Sequence, residues 1–507
     1  MDSLADVSSL LLRHARLVPL GPGAAAPEDP VDLLLRDGEV AAVGRDLAAP
    51  AGTEVHDAEG RWVSPGLWDQ HVHLGQWAQV ATRLDLSSAR SPEDAVAIVE
   101  HHLAVQPGVP LVGWGHRSVT WHREPLVEDL DRVARDVPVI LISGDGHHAW
   151  LNSAGLAVLD LPWRDDVVRE QEWFAAYERL PRLVGDEGTS PAAYRAVQEQ
   201  AASRGIVGVV DFEFSGGAAE WAERWSVAGL LRIRMATYAE GLPTVLGAGL
   251  RTGDPLPGCD DRALMGPLKI ISDGSLNTRT AWCCAPYADG DFLEHPSGAP
   301  NLTGLELRAL LREAHGHGLE IAVHAIGDAA VREALDAYEE TGATGSIEHA
   351  QLIDPRDVPR LAELGIRASV QPAHLLDDRD VTEQCWPDRS GRSFALRWLL
   401  DAGVEVRLGS DAPVAPLDPW LAMAAAVHRS GDDRPAWHPE HALTAAEALA
   451  ASTDGWGTVA PGHPADLVLL DADPLGGTGE PEKVARHLLE VPAAATYIGG
   501  NRVFLRP

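Results

Sequence analysis

Between Ser190 and Asp411 the chain repeats one unit, a helical stretch that stops at a glycine followed by a short apolar run. The helix from Leu305 ends at Gly318 before Ile321-Ala322-Val323-His324, and the helix from Ala329 ends near Gly342 before Ser346-Ile347-Glu348-His349. Two more end at Gly365 and Gly403, before the runs that start at Ile366 and Val404. Glycine supplies the left-handed cap conformation at no steric cost. Helices alternating with apolar runs call for a parallel sheet covered by its crossovers. With the runs at Ile206, Leu231 and Leu268, and the earlier run that ends in His71 and His73, the count reaches eight strands. Eight closes a (β/α)8 barrel of the TIM type, so the expected class is α/β.

The remaining segments are placed around that barrel. Two apolar runs, at Leu111 and Val137, lie between the first and second strands and predict an insertion at about 76–200 in a barrel spanning 65–455. Ser91-Pro92-Glu93-Asp94 opens a helix there, with Ser91 as N-cap and Pro92 in the first position. Both ends of the chain read as strands. Asp37-Gly38 between two apolar runs is a hairpin signal, and the runs at Ala465 and Ala495 follow the same style. Residues 1–64 and 456–507 are therefore expected to form one small β unit, which requires the termini to meet.

Composition narrows the partners. Seventy-five acidic against 41 basic residues give a formal charge of −34, which repels nucleic-acid phosphates and anionic lipid surfaces. No apolar run approaches the roughly 18 residues of a membrane span, and the N-terminus lacks the basic segment of a secretory leader. The four cysteines are too few and too scattered for a disulfide framework, so a reducing cytoplasm is expected. A small-molecule substrate is the expected partner, and a homo-oligomer is compatible with these totals.

In barrels of this type the chemistry sits at the C-terminal ends of the strands. There the sequence places His71 and His73 on strand one, Lys269 within strand four, His324 on five, His349 on six and Asp411 on eight. Any one histidine is compatible with a satisfied core group, and Asp411 with a helix cap. The whole set in register with the strands points to a divalent metal, zinc in particular, as one ion or two. Lys269 and Lys483 are the only lysines in the chain, and arginine supplies every other strongly basic side chain. A buried lysine loses its proton more readily, and the neutral amine can add carbon dioxide to give an anionic carbamate able to bridge two metal ions, which arginine cannot do. The alternative is a lysine that reaches the surface or pairs with Asp273. Asp145, His147 and His148 on the insertion, with Arg279 and Trp282 after strand four, are candidate pocket residues; ordinary loop packing is the alternative for each. Trp77, Trp114 and Trp150 lie near predicted strand ends and point to an aromatic or bulky acyl group, with core filling as the alternative.

The segments SPGLWDQHVHLG, DGHHAWLNSAGL, LKIISDGSLNTRTA, IAVHAIGDAAV, SIEHAQLI, ASVQPAH, LGSDAPVAPLDP and VAPGHPADLVLLDADP carry a family resemblance. In that order they resemble the amidohydrolase superfamily, in its type 3 branch that includes N-substituted formamide deformylases. The resemblance implies a barrel joined to a β-sandwich built from both termini. It also implies metal ligation by His71, His73, carboxylated Lys269, His324 and His349, with Asp411 as ligand and general base. The implied activity is hydrolysis of a non-peptide carbon-nitrogen bond by metal-activated water. An esterase or lactonase using the same residues, and a silent scaffold that kept the fold, are the competing readings; a silent relative would be expected to have lost ligands, and none is missing. Asn277 departs from the family, which often has glycine there, and the stretch after Thr453 is shortened.

Overall fold

The computed structural model describes residues 9–21, 23–118, 121–144, 148–177, 179–180, 183, 187–214 and 217–506. The chain divides into two compact units, residues 1–74 with 198–507, and residues 75–197.

The larger unit holds a nearly closed parallel barrel of eight strands. In chain order these are β1 (Leu67–Val72), β2 (Ile206–Asp211), β3 (Arg232–Thr237), β4 (Ala263–Ile271), β5 (Ile321–Ala325), β6 (Gly345–His349), β7 (Arg367–Val370) and β8 (Val406–Leu408). Each pairs in parallel with the next, and β2 returns to β1. The last seam closes beyond β8, where the Asp411 N–H donates to the His71 carbonyl (2.7 Å) and the His73 N–H donates to the Ala412 carbonyl (2.9 Å). The helices Asp328–Thr341 and Val358–Leu364 end at Gly342 and Gly365, both left-handed at φ 66°, a conformation that costs a residue with a Cβ about 1–2 kcal/mol.

One boundary differs from the sequence reading. The run before His71 is two strands: Trp62–Pro65 pairs antiparallel with Leu467–Leu470, and only Leu67–Val72 enters the barrel. Gly66 separates them, and a Cβ there would overlap the Val207 side chain. Trp62–Pro65 belongs to an eight-stranded sheet drawn from both ends of the chain. Its long strand Ser9–Leu17 shifts register between Leu12 and Ala15, pairing first with Glu54–Asp57 and then with Trp62–Pro65. Leu12, Leu33 and Val63 from the N-terminal segment share a core with Leu467, Leu469 and Tyr497 from the C-terminal one. Each such fully buried aliphatic side chain contributes about 1.5–3 kcal/mol.

Residues 75–197 form a five-stranded sheet in which Leu84–Asp85, Leu111–His116 and Val139–Ser143 run parallel, followed by antiparallel His148–Leu151 and Val168–Arg169. Its apolar residues alternate between two cores: Leu111, Leu141 and Trp150 on one face, Val112, Ile142 and Leu151 on the other.

Candidate metal centre

The two histidines of β1 are set by that strand and by the closing seam. His71 is 1% exposed, and its Nδ1 meets the buried Glu348 carboxylate at 2.7 Å. A carboxylate only accepts, so His71 carries its proton on Nδ1 and presents a bare Nε2 lone pair. That lone pair faces Lys269 Nζ at 3.2 Å and Asp411 Oδ1 at 3.5 Å. His73 brings its Nε2 within 3.3 Å of the same Asp411 oxygen, while its Nδ1 is buried with no partner among the described residues. The β5 and β6 histidines complete the ring: His349 lies 4.9 Å from His71 and 4.6 Å from His324, centroid to centroid. Donor atoms of His71, His349 and Asp411 all fall within 4.8 Å of one another.

Electrostatics hold these groups in the forms a cation needs. Burial pushes the imidazoles of His71 and His349 well below their ordinary range and His324 down to about 4, so all three are neutral at neutral pH. Burial pushes the Asp411 carboxyl up, but the surrounding imidazoles of His71, His73 and His349 outweigh it and hold the group well below the usual carboxylate range. Burial lowers Lys269 to about 8 against the pull of Glu348 and Asp411; its Nζ also sits 4.2 Å from the Phe212 ring centroid. Neutral nitrogens and an ionised carboxylate with lone pairs converging are the donor set of a divalent metal. The residues present therefore fit such an ion.

Six sequence-predicted residues, His71, His73, Lys269, His324, His349 and Asp411, lie together at this end of the barrel. Asp273, the alternative partner for Lys269, instead accepts the backbone N–H groups of Trp282, Ile326 and Gly327 at 2.9–3.1 Å. The Trp282 backbone is held by that contact with Asp273. The guanidinium of Arg279 pairs with Asp289 at 2.9 Å and with the Asn277 carbonyl at 2.8 Å. Asp145 and His147 lie outside the described residues. His148 contacts Ser118 Oγ at 2.8 Å within the 75–197 unit, and Trp150 is fully buried in that unit's core with its Nε1 donating to the Leu126 carbonyl (2.8 Å).

Sequence reasoning did not single out Glu348, Asp69 or His374. Asp69, 2% exposed, accepts the backbone N–H groups of His71 (3.0 Å) and Ser410 (3.0 Å), tying β1 to the loop that carries Asp411. Its position two residues before His71 is the signal that could have found it. For His374 the signal was its position just beyond β7; Glu348 carried none, because alternation along a strand turns it away from its neighbour His349.

A parallel (β/α) barrel with imidazoles and a carboxylate gathered at its strand ends defines a class of proteins built around a metal-type centre. The chain belongs to the Amidohydrolase family, whose model matches residues 54–504. It is 26% identical over 533 aligned residues to the N-substituted formamide deformylase of Arthrobacter pascens, covering 92% of this chain and 94% of that protein. It is 27% identical to the protein LONG AFTER FAR-RED 3 of Arabidopsis thaliana, covering 93% and 88%. The crystal structure of an uncharacterized metal-dependent hydrolase from Pyrococcus horikoshii OT3 matches with a TM-score of 0.75 at 25% identity, covering 92% of this chain and 98% of that one. The family is the one that the sequence segments resemble.

Proposed function

We propose that this amidohydrolase cleaves a non-peptide carbon-nitrogen bond of amide type in a small molecule, with His71, His73, His324, His349 and Asp411 holding zinc. The observation that carries the reading is the convergence of the His71 Nε2 lone pair, fixed by Glu348, with the Asp411 carboxylate at 3.5 Å and Lys269 Nζ at 3.2 Å, beside His349. Lys269, 3% exposed and next to His71, is the residue we assign to carboxylation. Its neutral amine adds to the carbon of carbon dioxide and loses a proton, leaving an anion with two further donor oxygens.

When bound, a divalent ion supplies Lewis acidity to a carbonyl and acidifies water. Asp411, ionised and buried, takes a proton from the attacking water and returns it to the leaving nitrogen as the carbon-nitrogen bond breaks. The water's oxygen ends on the acyl carbon, and both products are neutral before they ionise. Support for the amide over other carbonyl substrates comes from the Arthrobacter relative, whose name specifies an N-substituted formamide. We also read the terminal sheet, residues 1–64 and 456–507, as a β-sandwich beside a 65–455 barrel, because strands from both ends contribute to one core.

A panel of N-formyl, N-acyl and cyclic amides, each matched with its ester and supplied with zinc or manganese, tests the reading. Amide turnover is expected, and D411N is expected to retain metal while kcat falls by about 100- to 10,000-fold. Unchanged turnover in D411N, or turnover of esters alone, contradicts it.

A further inference from the structure

His374 follows β7 directly, at the end of the 3-10 turn Pro372–His374, and is absent from the ligand set described above. Its Nε2 is buried with no hydrogen-bond partner among the described residues. Asp411 Oδ2 lies 3.9 Å away, too far for a hydrogen bond. Asp411 thus divides its two oxygens, Oδ1 toward His71 and His73, Oδ2 toward His374. The His374 ring lies nearly parallel to that of His349, at 22° and 6.3 Å between centroids, which places it beside the centre. The buried carboxylate on the following helix turn, Asp378, accepts from Gln351 Nε2 (2.9 Å) and Asn277 Nδ2 (3.3 Å). A lone pair on Nε2 would be repelled by Asp411, so the favoured tautomer places the proton there. The result is a buried N–H with an acceptor missing, beside the carboxylate assigned to move the reaction's proton. Buried polar groups without partners are rare in native proteins and call for a ligand.

We propose that His374 is a catalytic residue, whose Nε2–H donates a hydrogen bond to the carbonyl oxygen of the bond being cleaved. That oxygen gains negative charge when water adds to the carbon, so a donor already in place stabilises the transition state more than the bound substrate. The inference rests on the hydrolase reading above. Removing one such donor lowers kcat by about 100- to 1,000-fold, with little change in KM.

The test compares zinc-loaded wild type, H374A and H374Q on the amide of the panel that turns over fastest, together with inhibition by its phosphonate analogue. For H374A we expect wild-type zinc content, a kcat lower by about 100- to 1,000-fold, and phosphonate inhibition weakened far more than KM. H374Q, which keeps an N–H donor, should recover part of the loss. Full kcat and undiminished phosphonate inhibition in zinc-replete H374A overturn the proposal while leaving the hydrolase reading intact. If the zinc-loaded wild type turns over no amide, the hydrolase reading falls and takes this one with it. Should H374A lose zinc or fail to fold, H374Q against H374M gives the same comparison between side chains of similar length, and equal kcat in that pair overturns the proposal.

Discussion

Glu348 shows how one side chain decides what its neighbour can do. By accepting from His71 Nδ1 it fixes both the tautomer and the ring orientation, and leaves Nε2 for a metal. E348Q keeps the shape but exchanges an acceptor-only group for an amide; zinc affinity or turnover is expected to fall by about 10- to 100-fold, measured by competition with a chromogenic chelator. Wild-type affinity and turnover together would show that Glu348 plays no such part. Phe214 acts differently. Its ring is 56% exposed and stacks on His73 at 4.8 Å and 21°, offering an apolar surface beside the centre. F214A should raise KM for amides with aryl substituents roughly 2- to 12-fold, the value of an aromatic contact of about 0.5–1.5 kcal/mol, and leave methyl-substituted amides unchanged; equal effects on both would remove Phe214 from substrate recognition. That His71, His73, His349 and Asp411 come together was legible in the sequence because two-residue periodicity and strand-end position select them. Glu348 was not, because alternation assigns successive residues to opposite sides of a strand. His349 adopts a left-handed backbone at φ 72°, which ends that alternation and lets Glu348 and His349 both reach His71.

The elements follow local rules where helices begin and end, and depart from them where tertiary pairing takes over. The helix–glycine–strand rhythm was legible because each cap is a local steric matter. The division of the run before His71 was not, since only the partner Leu467–Leu470, some four hundred residues away, shows that Trp62–Pro65 belongs elsewhere. Nor did the sequence distinguish a tryptophan at a pocket from one in a core: Trp150 packs against Trp121 inside the 75–197 unit. The helix Ala445–Ala451 illustrates a local rule that carries a pH dependence. Thr444 and Glu447 form a capping box, and Glu447 also meets Arg397 at 2.6 Å. The Arg397 guanidinium, aided by Thr444, holds the Glu447 carboxyl at about 2, below its ordinary 4.5. A depressed carboxyl contributes stability above its unfolded pKa and loses it as pH falls toward the folded value. Urea unfolding of wild type and E447Q should therefore differ by up to about 1 kcal/mol at pH 7, the pair being partly exposed, and converge as pH falls from 4.5 toward 2. A difference that does not change with pH contradicts this assignment.

At the scale of the whole molecule, the barrel brings residues from 71 to 411 to one end, and the metal they are proposed to hold links site to stability. No helix among the described residues is long and apolar enough to cross a membrane, and the formal charge of −34 leaves the protein poorly suited to polyanionic partners. An ion that binds only the folded state adds about 4 kcal/mol at a thousand times its dissociation constant. Chelation should then lower the thermal midpoint by several degrees, and zinc should restore it; an unchanged midpoint would mean that the fold does not depend on the ion. The most direct test of the metal centre is the zinc content of wild type and of the H71N/H349N double variant, both loaded with zinc, gel-filtered and measured by elemental mass spectrometry. About one to two zinc ions per wild-type chain are expected, and none retained by the variant; a wild type that retains no zinc, or a variant that retains as much as wild type, would contradict the assignment.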